Sequence, residues 1–299
     1  MTNVLGIDHP LVCVRDLSTT REHYGQLGFR MKGIGKHPWG TSTCVIIFKN
    51  SLLELMGIYD TSLLDGYPTG NFRFGRFIHD AIEEREGVAL TALYSDDAER
   101  DAAAVEARGG TCQGTIEFGR DVVLSDGTPD RTSTTLKILE SEHFPRLSNF
   151  ACQQHKRQLI EFPEWMDHPN SAYGFTSVSI LAERPQQEGV LDWLSTIHGR
   201  DRISQTKFGF SVQTGNGEFL VMDRKGASER YGRLPEAIAT PNKPYEFALD
   251  LKVRSMDALN ASLATSPLGS RRVGERVVLS DTDRLGGVIL SFVEIPEDE

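Results

Sequence analysis

The sequence predicts an α+β fold in which a βαβββ module occurs four times, with the modules paired into two domains that have curved mixed sheets. Two observations lead to this expectation. A strand, a helix and three further strands recur in the same order, and a proline-containing stretch at 163–170 interrupts the strand pattern near the middle. One such module is too small to bury both faces of its sheet, whereas two modules side by side form a cupped interior.

The first module is the clearest of the four. A strand begins at Gly6, a helix is expected over 18–27, and strands at 43–48 and 51–56 form a hairpin closed by a two-residue turn. The other three modules follow the same order. They are expected to open with strands at 88–94, 175–181 and 245–253 and to carry helices at 98–107, 186–197 and 256–265.

The proline-containing stretch sets the expected domain boundaries. Two prolines and an asparagine within 163–170 are typical of a linker. We therefore expect an N-terminal domain at 1–162, which carries the functional site, and a degenerate C-terminal domain at 171–299. A chain of 299 residues is long enough for two domains of ordinary size.

An insertion at 59–85 separates the first two modules. Loops of this length in a compact domain are often functional. The insertion carries Phe72, Phe74 and Phe77, which are expected to border the mouth of the N-terminal cup as a lid. The alternative is that these phenylalanines pack on the outside of the sheet.

Composition and charge exclude two classes of partner. The net charge of -10 argues against a nucleic-acid surface, which needs clustered lysine and arginine. No apolar run approaches membrane-spanning length, and the first residues lack the pattern of a signal peptide. The four cysteines are scattered, as expected for reduced thiols in a cytoplasmic protein. We expect a small-molecule substrate, no nucleotide cofactor, and a chain able to form a homodimer.

Several short segments resemble the vicinal oxygen chelate superfamily, and within it the glyoxalase-like proteins. In the first module these segments are Ile7-Asp8-His9, Leu27-Gly28-Phe29, His37-Pro38-Trp39-Gly40-Thr41 and Leu53-Glu54-Leu55. Later segments, such as Phe118-Gly119-Arg120 and Cys152-Gln153-Gln154-His155, are similar to a bacterial subgroup that has two histidines after the Cys-Gln pair. Here the first of those histidines is replaced by Gln154.

The resemblance implies two glyoxalase-like domains and a cup in which strand histidines and glutamates hold a divalent cation. It is specific for fold and not for reaction, because the superfamily includes isomerases, extradiol dioxygenases, epimerases, thiol transferases and metal-free drug-binding proteins. Two-domain extradiol dioxygenases usually carry their metal in the C-terminal half, which counts against that activity here.

Three residues are the candidate metal ligands. His9 lies in the first strand of the first module and Glu54 in its last strand, between leucines, where an unpaired charge is costly to bury. His155, at the end of the second module, is the third candidate. Such a set would suit Fe, Mn, Ni or Zn. His9 could instead bond to the backbone, Glu54 could pair with Arg120, and His155 could be a surface residue.

The second module departs from the expected ligand pattern. Its first strand places Leu90 or Thr91 in the position of His9, and neither is a good ligand. The C-terminal half has Ser177 in place of His9 and Val221 near the position of Glu54. We therefore expect any metal to lie in the N-terminal half.

Three further residues are candidates for contact with substrate. His37, before Pro38, is expected to be held in an extended conformation and to act as a general base, or else to be a turn histidine packed on Trp39. Trp39 is a candidate substrate contact. Arg120 could bind a substrate carboxylate through both ends of its guanidinium, or could pair with Glu54 or Asp121.

Two classes of function agree with these residues. The first is a metal-dependent lyase, isomerase or dioxygenase that acts on a small oxygenated organic compound. The second is a non-catalytic protein of the same fold that binds or sequesters a small molecule, which the missing ligand and the aromatic residues of the cup would suit.

Overall fold

Repeated βαβββ modules build the two main sheets of the computed structural model, which describes residues 5–124, 127–238 and 243–296. Each sheet has eight strands and combines parallel with antiparallel neighbours. The predicted α+β fold with modules paired into two curved mixed sheets is confirmed.

The first sheet contains the first two modules and the insertion between them. The first module consists of β1 (Gly6–Cys13), α1 (Leu17–Gln26), β2 (Gly35–Lys36), β3 (Thr41–Phe48) and β4 (Ser51–Ile58). The insertion adds β5 (Pro68–Thr69), β6 (Phe72–Arg73) and α2 (Phe74–Glu84). The second module consists of β7 (Gly87–Tyr94), α3 (Ala98–Ala107), β8 (Cys112–Phe118), a small hairpin of β9 (Asp121–Val123) and β10 (Pro129–Arg131), β11 (Thr134–Leu139) and β12 (Asn149–Gln154).

The second sheet is built in the same way after the short helix α4 (Pro163–Met166). The third module consists of β13 (Ala172–Leu181), α5 (Arg184–His198), β14 (Ile203–Thr206), β15 (Gly209–Gln213) and β16 (Glu218–Met222), followed by α6 (Arg224–Tyr231). The fourth consists of β17 (Tyr245–Val253), α7 (Met256–Ala264), β18 (Ser270–Val273), β19 (Arg276–Leu279) and β20 (Ile289–Glu294).

The strand order shows how two modules join. In the first sheet the order is β2-β3-β4-β1-β7-β12-β11-β8, so the first strands of both modules meet antiparallel at the centre. The last strand of each module then pairs parallel with the first strand of that module. The second sheet repeats this arrangement with β13 and β17 at its centre. Residues on the first and last strands of a module are therefore close neighbours.

The insertion contributes to the interior of the first sheet. Phe72, Phe74 and Ile78 are buried and belong to one apolar cluster with Trp39 and Phe150. Phe77 is partly buried and packs against the same cluster. The phenylalanines therefore pack into the cup, and they do not lie on the outside of the sheet.

His168 attaches the segment between the two halves to the first module. Its Nδ1 accepts a hydrogen bond from the Arg30 backbone N–H at 3.1 Å, and its Nε2 lies 3.0 Å from the Ile47 carbonyl oxygen. The ring lies between Phe29 and Phe48. These contacts give His168 a structural role at this junction, while the division of the chain at 162 and 171 stays a prediction.

In the described residues, no helix combines the length and the apolar character that crossing a membrane would require.

Candidate functional site

A cavity of about 310 Å³ lies in the cup of the first sheet. Five of the residues singled out in the sequence line it: His9, His37, Trp39, Glu54 and Arg120. Most of the remaining lining is apolar, and it includes Val45, Ile47, Leu52, Met56, Phe74, Phe118, Leu136 and Phe150. The fold thus brings residues of β1, β3, β4, β8, β11 and β12 to one cavity.

An irregularity in β1 brings two consecutive side chains together. Neighbouring residues of a regular strand point to opposite faces. The pairing of β1 with β7 shifts register between Ile7 and His9, and Asp8 Oδ2 lies 2.9 Å from His9 Nδ1. Bulges of this kind often re-aim a side chain next to a functional site. Here the shift gives the His9 ring a fixed orientation.

Glu54 reaches His9 from the neighbouring strand. Leu11 of β1 pairs with Glu54 of β4, so Glu54 lies beside the strand that carries His9. Glu54 Oε2 is 3.4 Å from His9 Nε2, and the Thr43 hydroxyl donates to Glu54 Oε1. The His9 ring therefore has Asp8 at one nitrogen and Glu54 at the other.

A chain of charges continues from Asp8 to Arg157. The Arg157 Nη2 donates to Asp8 Oδ1 at 2.7 Å, and the Arg157 side chain also pairs with Glu161. Burial alone would raise the pKa of Asp8, but His9 and Arg157 hold it below its ordinary value. Burial alone would lower the pKa of His9, but Asp8 and Glu54 raise it. His9 thus lies between two carboxylates, which favour the charged form of its ring.

The second module does not complete the expected ligand set. Leu90 or Thr91 stays the expected counterpart of His9 in β7, and the residue that pairs with His9 across the two strands, Ala92, offers no ligand atom either. His155 is exposed, with its Nε2 2.8 Å from the Thr135 hydroxyl oxygen. The structure therefore does not bring His155 together with His9 and Glu54.

Strand alternation explains the placement of His155. Cys152 and Gln154 of β12 line the cavity. Successive side chains of a strand point to opposite faces, so Gln153 and His155, each one residue away from Gln154, are directed to the other face. Cys152 Sγ lies within 4.8 Å of ligand atoms of both Asp8 and His9, so Cys152 is the further donor nearest to His9 on this strand. Burial raises the pKa of its thiol well above the ordinary value.

His37 lies in the tight turn between β2 and β3. Its Nδ1 is 2.9 Å from the Thr41 hydroxyl oxygen, and its ring stacks on Trp39 at 4.9 Å between centroids. Gly40 has φ +86°, and a Cβ there would meet the Asp60 carbonyl oxygen, so the turn requires glycine. Burial, with the charges of Arg120 and His9, lowers the pKa of His37 well below its ordinary value. His37 is therefore a neutral imidazole at the cavity wall.

Arg120 lies at the base of the β9–β10 hairpin. Neither of its expected protein partners binds it: Asp121 pairs with Arg131 at 2.6 Å, and Glu54 pairs with His9. Within the described residues Arg120 forms no salt bridge, and its Nε is a buried donor without a partner. Burial lowers its pKa. Trp39 Nε1 is likewise buried and unpartnered.

The His9 and Glu54 side chains fit two positions of a divalent metal site. Ligand atoms of one tetrahedral ion lie about 3 to 3.5 Å apart, as expected from metal–ligand bonds near 2 Å, and His9 Nε2 and Glu54 Oε2 are 3.4 Å apart. A histidine that binds a metal through one ring nitrogen usually forms a hydrogen bond to a carboxylate through the other, as His9 can with Asp8. Imidazole, carboxylate and a nearby thiol together suit Fe, Ni or Zn better than Mg or Ca.

Comparison with known proteins then identifies the family. A model of a family described as glyoxalase-like domain matches residues 7–196, which is more than half of the chain. The chain belongs to this glyoxalase-like family. A search of curated proteins gives no match.

Solved structures show the same fold at low sequence identity. A hypothetical protein from Staphylococcus aureus aligns with a TM-score of 0.66 and 13% identity, over 97% of this chain and 100% of that one. A mutant 4-hydroxymandelate synthase from Streptomyces coelicolor aligns with a TM-score of 0.57 and 9% identity, over 100% and 95%. A fusion of a xylose isomerase-like TIM barrel with 4-hydroxyphenylpyruvate dioxygenase aligns with a TM-score of 0.56 and 8% identity, over 98% of this chain and 49% of that one. At these identities the likeness shows that the glyoxalase-like chain shares the fold of these proteins.

Three residues of the glyoxalase-like site were missed in the sequence. Asp8 reaches His9 through the bulge in β1, which no local pattern announces. Arg157 follows β12 in a single helical turn at Arg157–Leu159. Cys152 could have been found from alternation alone, because it lies two residues before the cavity-lining Gln154.

Proposed function

We propose that this glyoxalase-like protein is a metal-dependent lyase, isomerase or oxygenase that acts on a small oxygenated organic compound in the N-terminal cavity. The observation that supports this most strongly is the His9–Glu54 pair, 3.4 Å apart at the wall of a cavity and with the His9 ring fixed by Asp8. Polar residues converging in an otherwise apolar cavity are typical of small-molecule sites.

His9 and Glu54 would hold the ion, and Asp8 would fix the His9 ring. A divalent ion at this position supplies Lewis-acid polarisation of a substrate oxygen. His37 stays neutral near pH 7 because its pKa is lowered, so its role at the cavity wall would be to accept a proton or a hydrogen bond. The apolar residues of the lining exclude water from the substrate.

The structural neighbours do not decide whether the chain is a lyase, an isomerase or an oxygenase. Two of them are named as a synthase and a dioxygenase, but at 9% and 8% identity the likeness concerns the fold alone. Oxygenase activity is therefore proposed on the same footing as lyase and isomerase activity.

One observation favours the second candidate, a metal-free small-molecule-binding protein. The His9 ring already lies 2.9 Å from Asp8 and 3.4 Å from Glu54, so both carboxylates have a partner without an ion. Ala92 opposite His9 removes a ligand position as well. In this case the same cavity would hold its ligand without transforming it.

Metal content of the purified protein separates the two candidates. After incubation with Fe, Mn, Ni or Zn salts and removal of free ions, mass spectrometry should find about one ion per chain in the wild type. His9→Ala and Glu54→Gln should lose most of it. His155→Ala is the matched control, because it removes an exposed histidine on the opposite face and should keep the wild-type metal content.

A wild type that stays empty with all four metals would replace the enzyme proposal with the binding-protein proposal. Loss of metal in His155→Ala to the same degree would instead remove His9 and Glu54 as the specific ligands. The homodimer and the cytoplasmic location stay predictions.

A further inference from the structure

We propose that the ligand of the N-terminal cavity carries a single carboxylate, bound by Arg120 and Trp39, on an apolar body about the size of a phenyl group. The inference rests on the proposed function in one respect, since it assigns the chemistry of the compound that this cavity holds. It is carried by two residues that line this cavity and that each have a buried N–H donor without a partner in the described part of the chain.

Arg120 is held in place by its backbone and by a close neighbour. Its N–H donates to the Thr132 hydroxyl at 2.9 Å, and its carbonyl oxygen accepts from the Thr132 N–H at 2.9 Å. A Cβ at Gly35 would collide with the Arg120 guanidinium, so the absence of a side chain there makes room for it. The guanidinium is thus positioned by rigid contacts that do not satisfy its charge.

Three other arginines in the interior have acceptors, whereas Arg85, over the Tyr245 ring, also has a buried nitrogen without one among the described residues. Arg157 binds Asp8, Arg230 binds Asp250, and Arg146 donates to the carbonyl oxygens of Val88 and Ala81. Within the described residues the Arg120 guanidinium forms no hydrogen bond or salt bridge. Its Cζ lies 5.3 Å from the centre of the Phe118 ring. A cation removed from water without an anion is costly, so this arrangement is expected where a ligand supplies the anion.

Trp39 provides the second donor. Its side chain is buried, with the residue 3% exposed, and Nε1 has no hydrogen-bond partner in the part of the chain that the structure describes. The ring is fixed between His37 and Phe118, with centroids at 4.9 and 5.4 Å. Buried indole N–H groups usually find an acceptor. An oxygen atom of a ligand in the cavity would satisfy it.

The charge of the cavity favours a monoanion. Arg120 supplies one positive charge opposite a cavity that also contains the Glu54 carboxylate. The other lysine or arginine of the lining, Lys32, lies over the Phe162 ring at 4.9 Å. A second negative charge on the ligand would meet Glu54, which disfavours a phosphate dianion. A planar carboxylate matches the guanidinium fork.

The rest of the lining defines the body of the ligand. Phe74, Phe118, Leu136 and Phe150 surround the cavity, and its volume of about 310 Å³ limits the ligand to a small compound. An aromatic or cyclic aliphatic group suits this apolar lining. A polar chain would suit it less well, because the described lining residues offer no further buried, unpaired donors to bind its polar atoms.

Calorimetric titration of the full chain tests the inference without metal. In buffer with EDTA, the probes are benzoate, phenylacetate and cyclohexanecarboxylate, each compared with its neutral amide, together with phenyl phosphate. We expect at least one carboxylate to bind and its amide to bind at least tenfold more weakly. Arg120→Gln should lose at least tenfold in affinity for that carboxylate, and Trp39→Phe about threefold.

Two variants control for charge and for metal. Arg200→Gln removes an exposed arginine of the C-terminal half and should bind the carboxylate as the wild type does. Glu54→Gln should bind it at least as tightly, because a negative charge leaves the cavity. Failure of the metal proposal therefore leaves this result unchanged, and the two can be told apart.

Thermal unfolding distinguishes a binding role from a structural one. Since Arg120 has no partner to lose, the midpoint of ligand-free Arg120→Gln should equal or exceed that of the wild type. A clearly lower midpoint would show that Arg120 supports the fold. The inference is overturned if no carboxylate binds, if amides bind equally well, if phenyl phosphate binds most tightly, or if Arg120→Gln keeps full affinity.

Discussion

In both halves of the molecule the first strands of two modules pair at the centre of the sheet, but different residues lie at this pairing. In the N-terminal half His9 faces Ala92 across the central seam, and in the C-terminal half Ser177 faces Asp250 at the corresponding position. Asp250 is fully buried and is bound by Arg230, Arg276, Ser177 and Tyr231. Burial would raise its pKa, but the two arginines hold it below its ordinary value.

The last strands differ in the same way. Glu54 pairs with Leu11, two residues after His9, and Leu220 pairs with Ser179, two residues after Ser177. Leu220, not Val221, is therefore the counterpart of Glu54. The C-terminal half has neither of the two ligands, which supports a site in the N-terminal half only.

The helix that follows each odd-numbered module accounts for much of the contrast. After the first module, α2 places Phe74 at the wall of an apolar cavity. After the third, α6 places Arg230 and Tyr231 against Asp250. Polar groups of the C-terminal cup thus satisfy each other, whereas Arg120 and Trp39 in the N-terminal cup do not. We therefore expect the half with the unpaired donors to bind the ligand.

The largest expected effect is in the C-terminal network. Asp250→Ala leaves two guanidinium groups, of Arg230 and Arg276, without their carboxylate, and should destabilise the fold by about 5 kcal/mol. Urea unfolding at pH 7 measures this. Asp192→Asn, which removes an exposed partner of Arg200, is the control and should change stability by less than about 0.5 kcal/mol. A loss below about 1 kcal/mol for Asp250→Ala would mean that the network is not structural.

The next effect concerns the contact between the halves. The Thr91 hydroxyl donates to Glu246 Oε2 at 2.5 Å, and burial raises the pKa of Glu246 to about 8. The folded chain keeps this proton up to about pH 8, while the unfolded chain releases it near 4.5. The free energy of unfolding should therefore fall as pH rises through this window, by about 5 kcal/mol in total.

Glu246→Gln keeps the hydrogen bond without the ionisation and should remove that decline. Urea unfolding at pH 5, 6.5 and 8 compares it with the wild type and with Glu188→Gln, an exposed residue of α5. If wild type and Glu246→Gln lose stability equally between pH 6.5 and 8, Glu246 is ionised in the folded protein and the explanation fails.

His168 should produce the opposite pH dependence with a smaller size. Burial lowers its pKa to about 4, so the unfolded chain takes up a proton from near pH 6.5 while the folded chain does not. Stability should be lost as pH falls from about 6.5 to 4, by about 3 kcal/mol. His168→Gln should be less stable at pH 7 but show a weaker decline in acid. An unchanged decline would assign it to other groups, such as His198, whose pKa burial lowers to about 3.

The sequence was sufficient for the fold because the repeated element order specifies it. Strands, helices and hairpins recur with turn signals between them, and a βαβββ module can bury its sheet only beside another. The positions of His9 and Glu54 on the first and last strands follow from the same order. Both line the cavity, together with His37, Trp39 and Arg120.

What could not be predicted depends on register and on contacts distant in sequence. His155 was chosen for its chemistry, although alternation along β12 places Gln154 and Cys152 toward the cavity. The bulge that joins Asp8 to His9 is a property of the β1–β7 pairing. That Arg120 has no partner can be known only when Glu54 and Asp121 are seen to be paired elsewhere.

The smallest expected effect is at the surface of the C-terminal cup. Lys207 Nζ lies 2.8 Å from Glu229 Oε2, and both side chains are more than half exposed, at 68% and 55%. Water screens such a pair, and holding two long side chains together costs entropy, so Glu229→Gln should change the free energy of unfolding by about 0.5 kcal/mol or less. Combined with Asp250→Ala, its effect should simply add, because the two carboxylates share no partner. A change above about 1.5 kcal/mol, or a clear departure from additivity, would show that Lys207 and Glu229 belong to the buried Asp250 network. In that case burial would not explain why some ion pairs of this half stabilise the fold and others do not.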